Sequence, residues 1–206
     1  MSGVHTGRFM GAAGGLMTSG TACGTLRSTN LTEYPGEIPR EEAEVIRAAR
    51  ADELALLSSL AFRSKASWGY SADFMEACRE ELTVPEHLLG HVFVVESSGE
   101  IAGFYSLLPL SDSRVELGHL FVEPDLMRTG LGRQMIGDAI RRARVRRCAA
   151  LVIQGDPNAA DFYTRCGAAK IGDRESESIP GRMLPLFEFR LSHASPAVPP
   201  NLAFGG

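Results

Sequence analysis

The sequence lacks the features that mark several large classes of protein. It has only four cysteines among 206 residues, and no two of them form a C-x-x-C pair. This scatter argues against a zinc site and against a disulfide framework, and it indicates reduced thiols in a cytoplasm. No apolar run is long enough to span a bilayer. The sequence therefore predicts a cytoplasmic protein with no bound metal and no membrane partner.

An excess of positive charge is missing as well. The formal net charge is −4 and the pI is about 5.8, so the balance gives no reason to expect nucleic acid as a partner. Five arginines do cluster between Arg141 and Arg147. They fall in the last turns of a predicted helix, where the helix dipole favours cations. We therefore predict no nucleic-acid partner.

The composition, 44% hydrophobic and 22% charged, suits one globular domain with a substantial core. Residues 1–42 are rich in Gly, Ser and Thr and show no helical or strand period, which predicts a disordered extension. A start at Met10 or Met17 is an alternative reading of this segment. We place the folded domain at residues 43–192 and a flexible tail at residues 193–206.

Within the predicted domain, the hydrophobic pattern gives the element order β α α β β β α β α β β. A strand is predicted from Arg114 to Val122, followed by a helix that ends near Arg147. Asp156 and Pro157 have the residue types preferred at a helix start and predict the next helix. Hairpins combined with a strand–helix–strand crossover predict an α/β protein with a mixed sheet.

The segment between this strand and helix contains two closely spaced glycines, Gly130 and Gly132. Glycines at this position let the backbone turn tightly and direct successive amides at an anion. Arg128 and Arg133 add full positive charges, so the loop is predicted to hold a phosphate. No Lys-Ser/Thr follows the second glycine and no third glycine is present. These absences disfavour a P-loop, a dinucleotide fingerprint and, with them, an unrelated nucleotide-binding protein.

Two successive motifs resemble those of the GCN5-related N-acetyltransferase (GNAT) superfamily, over roughly residues 43–191. HLFVEPDLMRTGLGRQMI resembles the acetyl-CoA motif Q/R-x-x-G-x-G/A, and DPNAADFYTRCG resembles the next motif of that family. The resemblance implies a central mixed, mostly antiparallel sheet of about six or seven strands, flanked by about four helices. Met127 occupies the Q/R position, so the backbone amides are expected to do most of the phosphate binding.

The same resemblance implies acetyl-CoA as a co-substrate and assigns residues to it. The backbone of Leu120, Phe121 and Val122 is expected to pair with the pantetheine arm as an added strand, and Asn158 is expected to hydrogen-bond the same arm. The pyrophosphate is expected in the glycine loop, whose members are Arg128, Thr129, Gly130, Leu131, Gly132 and Arg133.

Tyr163 is the predicted general acid. Transfer of an acetyl group from a thioester leaves a thiolate that needs a proton or a hydrogen bond, and the family places a tyrosine near the coenzyme sulfur within the second motif. The alternative is that Phe162 and Tyr163 form an aromatic packing pair on an amphipathic helix.

Glu116 is the first candidate for the base. An amine of pKa near ~10.4 arrives protonated at neutral pH, so a group must accept its proton. Strand alternation predicts that Glu116 shares a face with Gly118, Leu120 and Val122. The alternative for Glu116 is a solvated carboxylate at a sheet edge. His119 is the second candidate, although a lone histidine in an apolar strand is more often a packed residue.

The acceptor pocket is expected at the loop carrying Trp68 and Tyr70 and at the last loop, near Arg182. The predicted function is an acetyl-CoA-dependent N-acetyltransferase that acts on a primary amine of a small molecule or peptide. Direct transfer in a ternary complex is expected because neither motif places a cysteine as acyl carrier. The alternative is a non-catalytic acyl-CoA-binding or regulatory module. The resemblance also leaves a homodimer open.

Overall fold

A computed structural model describes residues 44–191 of the chain. The predicted extension (residues 1–42) and tail (residues 193–206) lie outside the described residues, so the domain limits stay a prediction. None of the helices within the described range is both long enough and apolar enough to cross a membrane.

Seven strands form one mixed sheet in the order β1-β2-β3-β4-β5-β7-β6. Among residues 44–191, only the β4–β5 pair is parallel, and the other five pairs are antiparallel. The strands are β1 (Val45–Ala48), β2 (Val92–Ser97), β3 (Glu100–Ser111), β4 (Arg114–Val122), β5 (Ala150–Gln154), β6 (Ala169–Glu175) and β7 (Met183–Arg190). The predicted fold class and element order are confirmed.

Four α-helices flank the sheet: α1 (Leu54–Ala66), α2 (Ala72–Ala77), α3 (Leu131–Val145) and α4 (Ala160–Arg165). A 3₁₀ turn precedes α4, and its first residues are held by the Asp156 side chain, which accepts the Asn158 amide at 2.9 Å. The helix start predicted at Asp156 is therefore confirmed as a cap, although the first turn is 3₁₀ rather than α. α4 ends before Gly167, which has a φ of 95°.

The helices cover the two faces of the sheet in pairs. α1 and α2 bury Leu57, Leu60 and Met75 against Val92 and Phe104. α3 and α4 bury a second cluster against the opposite face, which includes Met135, Tyr163, Leu117, Leu151 and Phe187. Strand alternation explains this division, because neighbouring residues of one strand point to opposite faces.

α3 is fixed to the sheet by a buried polar group as well as by its apolar stripe. Asp138 is 5% exposed and accepts hydrogen bonds from the Tyr105 hydroxyl and from the guanidinium groups of Arg141 and Arg142. Arg142 also lies over the ring of Phe93 at 3.9 Å from its centroid. Two members of the arginine cluster therefore have structural partners: Arg141 on its own helix, and Arg142 on its own helix and on the sheet.

The parallel strands β4 and β5 separate soon after they meet. They are connected through α3 and pair only over residues 114–116 of β4 and 150–152 of β5. Beyond Glu116, β4 remains paired with β3 but has no partner on its other side within the described residues. This divergence opens a gap at the carboxyl ends of the two strands, which is where open α/β sheets bind ligands.

A β-bulge in β4 changes which face its residues occupy. Tyr105 pairs with Leu120 and Leu107 pairs with Leu117, so two residues of β4 oppose Ser106 alone. An extra residue reverses the alternation beyond it. Leu117 and Leu120 consequently pack on the same face. The prediction that Glu116 shares a face with Leu120 and Val122 is wrong for this reason, although the strand limits were predicted correctly.

Candidate functional site

A cavity of about 950 Å³ occupies the gap between β4 and β5. This volume is within the range of small-molecule sites in proteins. One end is lined by the glycine loop and α4, and the other by α1, the loop after it, and residues of β5, β6 and the segment that follows β6. The cavity therefore brings together the two sequence motifs and the predicted acceptor loops.

The glycine loop has the backbone conformation of an anion-binding turn. Arg128 has a φ of 67° and Gly130 a φ of 108°, and turns that contain left-handed residues can direct successive amides at one anion. A left-handed non-glycine residue is strained and often marks a functional site. A Cβ added to Gly130 would meet no atom within 4 Å, which is the geometry of an open cradle facing the cavity.

The loop residues predicted to bind the pyrophosphate divide into two groups. Arg128, Gly130, Gly132 and Arg133 line the cavity. Thr129 and Leu131 do not contribute to its lining.

The side chains of those two residues have structural partners instead. Thr129 donates its hydroxyl to the Leu126 carbonyl at 2.8 Å, and Leu131 is 4% exposed in the core. These two residues can offer a ligand only their backbone. The guanidinium of Arg128 has no hydrogen-bond or ion-pair partner among residues 44–191.

The free edge of β4 presents backbone amides to the cavity. The Glu123 amide donates to the Ala102 carbonyl at 2.9 Å, on the side of β3. Because successive amides of a strand alternate in direction, those of Val122 and Leu120 point away from β3 and into the gap. Leu120, Phe121 and Val122 all line the cavity. An extended ligand arm could pair with this edge as an additional strand.

Tyr163 belongs to α4 and packs against β7 and the residue that follows β5. Its side chain lines the cavity but is only 7% exposed, and its ring packs against Phe162 and Phe187 at centroid distances of 5.2 and 5.5 Å. Burial raises the pKa of the hydroxyl, and the Asp156 carboxylate adds to that rise. The group therefore stays protonated and is able to donate a hydrogen bond.

Glu116 lines the cavity where β4 and β5 begin to separate. Its Oε1 accepts a hydrogen bond from Arg174 at 3.1 Å. Its Oε2 has no hydrogen-bond partner among the described residues. Arg174 is itself held by Gln154, whose Oε1 lies 3.4 Å from the same guanidinium nitrogen. The ion pair at Oε1 thus orients the Glu116 carboxylate, and its Oε2 is free to accept a proton or a hydrogen bond from a ligand.

His119 is placed away from the cavity lining. It is 7% exposed, and its Nδ1 and its backbone amide both hydrogen-bond the Ser106 hydroxyl, at 2.8 and 3.0 Å. Burial lowers the pKa of the imidazole. This environment is that of a packed, neutral core histidine, and it favours Glu116 over His119 as a base.

The predicted acceptor residues occupy different positions. Trp68 lines the cavity and is 46% exposed. Tyr70 and Arg182 lie behind the lining: the Tyr70 hydroxyl bonds the Asp156 carboxylate at 2.8 and 2.9 Å, and Arg182 reaches both the hydroxyl and the carboxylate. Asn158 joins this group by donating its side-chain amide to the Tyr70 hydroxyl at 2.8 Å.

Seven charged residues of the cavity wall were not predicted as site residues: Lys65, Glu81, Asp156, Asp161, Arg165, Arg174 and Glu177. Lys65 bonds Glu81 at 3.0 Å and lies 3.8 Å from Asp156. Burial would raise the pKa of Asp156, but hydrogen bonds from the Asn158 amide and the Tyr70 hydroxyl outweigh burial and lower that pKa. Asp156 carried a usable sequence signal, since it lies two residues after the last residue of the buried strand β5 and begins the second motif.

One argument about cysteine is corrected by this geometry. Cys166 belongs to the second motif and lines the cavity, so the expectation that neither motif offers a cysteine is wrong. Burial raises the pKa of the Cys166 thiol. A protonated thiol is a poor nucleophile, and the side chain therefore gives little support to an acyl-enzyme route.

Met127, at the family's Q/R position, also lines the cavity. Its sulfur lies 3.8 Å from the Ser67 hydroxyl, in the loop that follows α1. Arg63 and Glu123 form an ion pair across the same boundary. The side chain at position 127 thus contacts the acceptor side of the cavity.

Solved structures resemble this chain over about three quarters of its length. A GCN5-related N-acetyltransferase from Rhodopseudomonas palustris is 20% identical with a TM-score of 0.61, and the match covers 76% of this chain and 100% of the other. The PaiA N-acetyltransferase of Thermoplasma acidophilum, solved with coenzyme A, is 16% identical with a TM-score of 0.60, covering 72% and 99%. The ribosomal-protein-S18-alanine N-acetyltransferase of Escherichia coli is 20% identical with a TM-score of 0.56, covering 76% and 99%.

At these identities the structural likeness establishes the fold alone. The comparison with curated protein sequences found no match. The sequence model described as "Acetyltransferase (GNAT) family" matches residues 55–168. This match spans more than half of the chain and includes both motifs, the first of which carries the free edge of β4, and the chain therefore belongs to the GNAT acetyltransferase family.

Proposed function

We propose that this protein is an acetyl-CoA-dependent N-acetyltransferase that acetylates a primary amine of a small molecule or peptide. One observation carries the proposal: a single cavity joins the glycine loop, the unpaired edge of β4 and the protonated hydroxyl of Tyr163. These are the three groups needed to hold a diphosphate, an extended arm and a leaving sulfur. A cytoplasmic location and a homodimer stay predictions.

The coenzyme would lie along the gap with its pyrophosphate at Gly130 and Gly132. The converging amides of the loop and the N-terminal end of α3 would bind the phosphates, with Arg128 and Arg133 adding charge. The arm would pair with the amides of β4 near Val122, which brings the thioester towards Tyr163. This arrangement places the acetyl carbonyl between backbone donors and the tyrosine.

The transfer itself would be direct. The amine nitrogen attacks the thioester carbonyl carbon, a C–N bond forms, and the C–S bond breaks as the thiolate leaves. Tyr163 would donate its hydroxyl hydrogen to the sulfur, which its raised pKa favours as a hydrogen bond more than as a full proton transfer. The free oxygen of Glu116 would accept the amine proton, directly or through water.

The test is acetyl transfer by the purified full chain. Acetyl-CoA is incubated with a panel of primary amines, including peptides with free N-termini, while released CoA thiol is followed with a thiol reagent. Thiol release that depends on an amine supports the proposal. Tight binding of acetyl-CoA without amine-dependent release would refute it and favour the non-catalytic coenzyme-binding module.

A further inference from the structure

The hydroxyl of Tyr70 connects two parts of the cavity wall that are far apart in sequence. It contacts the Asp156 carboxylate at 2.8 and 2.9 Å, the Asn158 side-chain amide nitrogen at 2.8 Å and Arg182 at 3.0 Å. Tyr70 belongs to the loop between α1 and α2, whereas Asp156 and Asn158 belong to the turn before α4. A single oxygen atom thus joins the loop beside the acceptor end to the turn at the coenzyme end.

The hydrogen-bonding capacity of this hydroxyl is fully used. A phenol offers one donor and two acceptor positions. Here the O–H donates to Asp156 and the oxygen accepts from Asn158 and Arg182. The ring is held as well, since it stacks on Phe74 at a centroid distance of 4.2 Å. Tyr70 is therefore fixed in position, and it fixes its partners.

Asn158 is oriented by this contact. Its backbone amide donates to Asp156 and its side-chain nitrogen donates to Tyr70. One N–H of the side-chain amide is used in this way, and its carbonyl oxygen, which has no hydrogen-bond partner among the described residues, can accept a hydrogen bond from the amide of a pantetheine arm. A ligand that engages this oxygen therefore also stabilises the contact between Asn158 and Tyr70.

Trp68 lies two residues before Tyr70 in the same loop and lines the cavity. It is followed by Gly69, which has a φ of 81°, so the loop turns sharply between the two aromatic residues. This short segment of backbone is the route by which a restriction of Tyr70 would reach Trp68.

We infer that Tyr70 is a positioning residue that couples coenzyme binding to the acceptor wall. Occupancy of Asn158 by the coenzyme arm would hold Tyr70, and Tyr70 would hold the loop with Trp68 in the form that receives the amine. The coupling is reciprocal, because a ligand that favours one arrangement is favoured by it in turn. This inference rests on the proposed function, since it assumes that CoA occupies the cavity.

The protein contains its own probe for this coupling, because Trp68 is the only tryptophan of the chain. CoA is titrated into the full-length protein while Trp68 emission and its quenching by acrylamide are recorded, and the affinity for CoA is measured separately by calorimetry. The adenosine bisphosphate part of CoA, which lacks the pantetheine arm, is titrated in parallel. Tyr70→Phe removes only the hydroxyl.

Tyr105→Phe is the matched control. It also removes one buried phenol hydroxyl, but Tyr105 bonds Asp138 beneath α3 and does not line the cavity. The wild type and Tyr105→Phe should show a shift of Trp68 emission and reduced quenching with CoA, and no such change with the bisphosphate. Tyr70→Phe should bind CoA no more than about five-fold more weakly, because the bond that links Tyr70 to the coenzyme side is the single neutral hydrogen bond to Asn158. It should lose most of the Trp68 response at saturation.

The outcomes separate this inference from the proposed function. A full Trp68 response in Tyr70→Phe overturns the coupling, because direct contact with the ligand would then suffice. A response of wild-type protein to the bisphosphate alone also overturns it, and this measurement does not depend on the folding of a variant. Wild-type protein that binds CoA with no Trp68 response overturns the coupling while leaving the proposed function intact. Failure of wild-type protein to bind CoA refutes the proposed function itself.

Discussion

Gly130 offers the sharpest test of the coenzyme site, because Gly130→Asp introduces a negative charge there and Gly130→Ala does not. Its φ of 108° lies in the left-handed region, and a Cβ would meet no atom within 4 Å. The left-handed backbone costs Gly130→Ala about 1–2 kcal/mol and Gly130→Asp somewhat less, and the Cβ of either variant meets no protein atom within 4 Å. Only Gly130→Asp directs a carboxylate into the cavity.

The size of the charge effect follows from the geometry. If a carboxylate on this residue lies roughly 6 Å from a diphosphate held by the loop amides, its repulsion of each negative charge costs about 3 kcal/mol at an effective dielectric constant of about 20. We expect CoA to bind Gly130→Asp at least about 100-fold more weakly than Gly130→Ala, which is the effect of one such unit of charge. Gly130→Ala should retain most of the wild-type affinity, since its added methyl group points into open space.

Calorimetric titration of CoA into the three proteins measures this difference, and thermal unfolding without ligand checks that both variants are folded. Raising the salt concentration to about 1 M shortens the screening length to about 3 Å and should reduce the gap between them. Equal affinity of Gly130→Asp and Gly130→Ala for CoA would show that the glycine loop does not hold the phosphates.

Three further predictions concern the strand and helix that face this loop. Tyr163→Phe should lower turnover by about 100-fold, within the range of general acid catalysis, while CoA affinity measured by calorimetry stays near wild type; unchanged turnover would remove Tyr163 from the acid role. Glu116→Gln should lower the rate most at neutral pH. Arg174→Gln is the control, because it breaks the same ion pair but keeps the carboxylate. If the two variants lose the same rate at every pH, the effect belongs to the ion pair and not to a base. Burial lowers the pKa of His119 below its usual 6.5. Between pH 6.5 and this lower native pKa, the unfolded chain binds a proton that the native state does not, so the free energy of unfolding decreases as the pH is lowered through this interval. His119→Asn should flatten that dependence in urea unfolding, the exposed His87→Asn should not, and an unchanged slope for His119→Asn would contradict the assignment.

Local signals were sufficient for much of the fold. The limits of β4, Arg114 and Val122, follow from its composition and were predicted without error. Most of the apolar stripe of α3 is buried as the helical period requires, and Asp156 caps the turn before α4. Each of these features depends on residues within a few positions of one another, where backbone preference and hydrophobic period act directly.

The remaining features depend on contacts between distant residues. The bulge in β4 arises from pairing with β3, and the sequence of β4 by itself does not predict that two of its residues will lie opposite Ser106. The Tyr70 hydroxyl meets Arg182 across 112 positions of sequence and Asp156 across 86. Single charged residues in polar segments carry no period, so Lys65 and Arg174 could not be distinguished from surface residues before the fold was known.

The divergence of β4 from β5 affects which strands make up the sheet during turnover. Four strands on one side and three on the other are joined through backbone pairs at residues 114–116 only. If the pantetheine arm occupies the open edge as proposed, the coenzyme is a strand that the polypeptide does not encode. Each cycle of binding and release then completes the sheet and opens it again, so that part of the architecture is exchanged with the substrate.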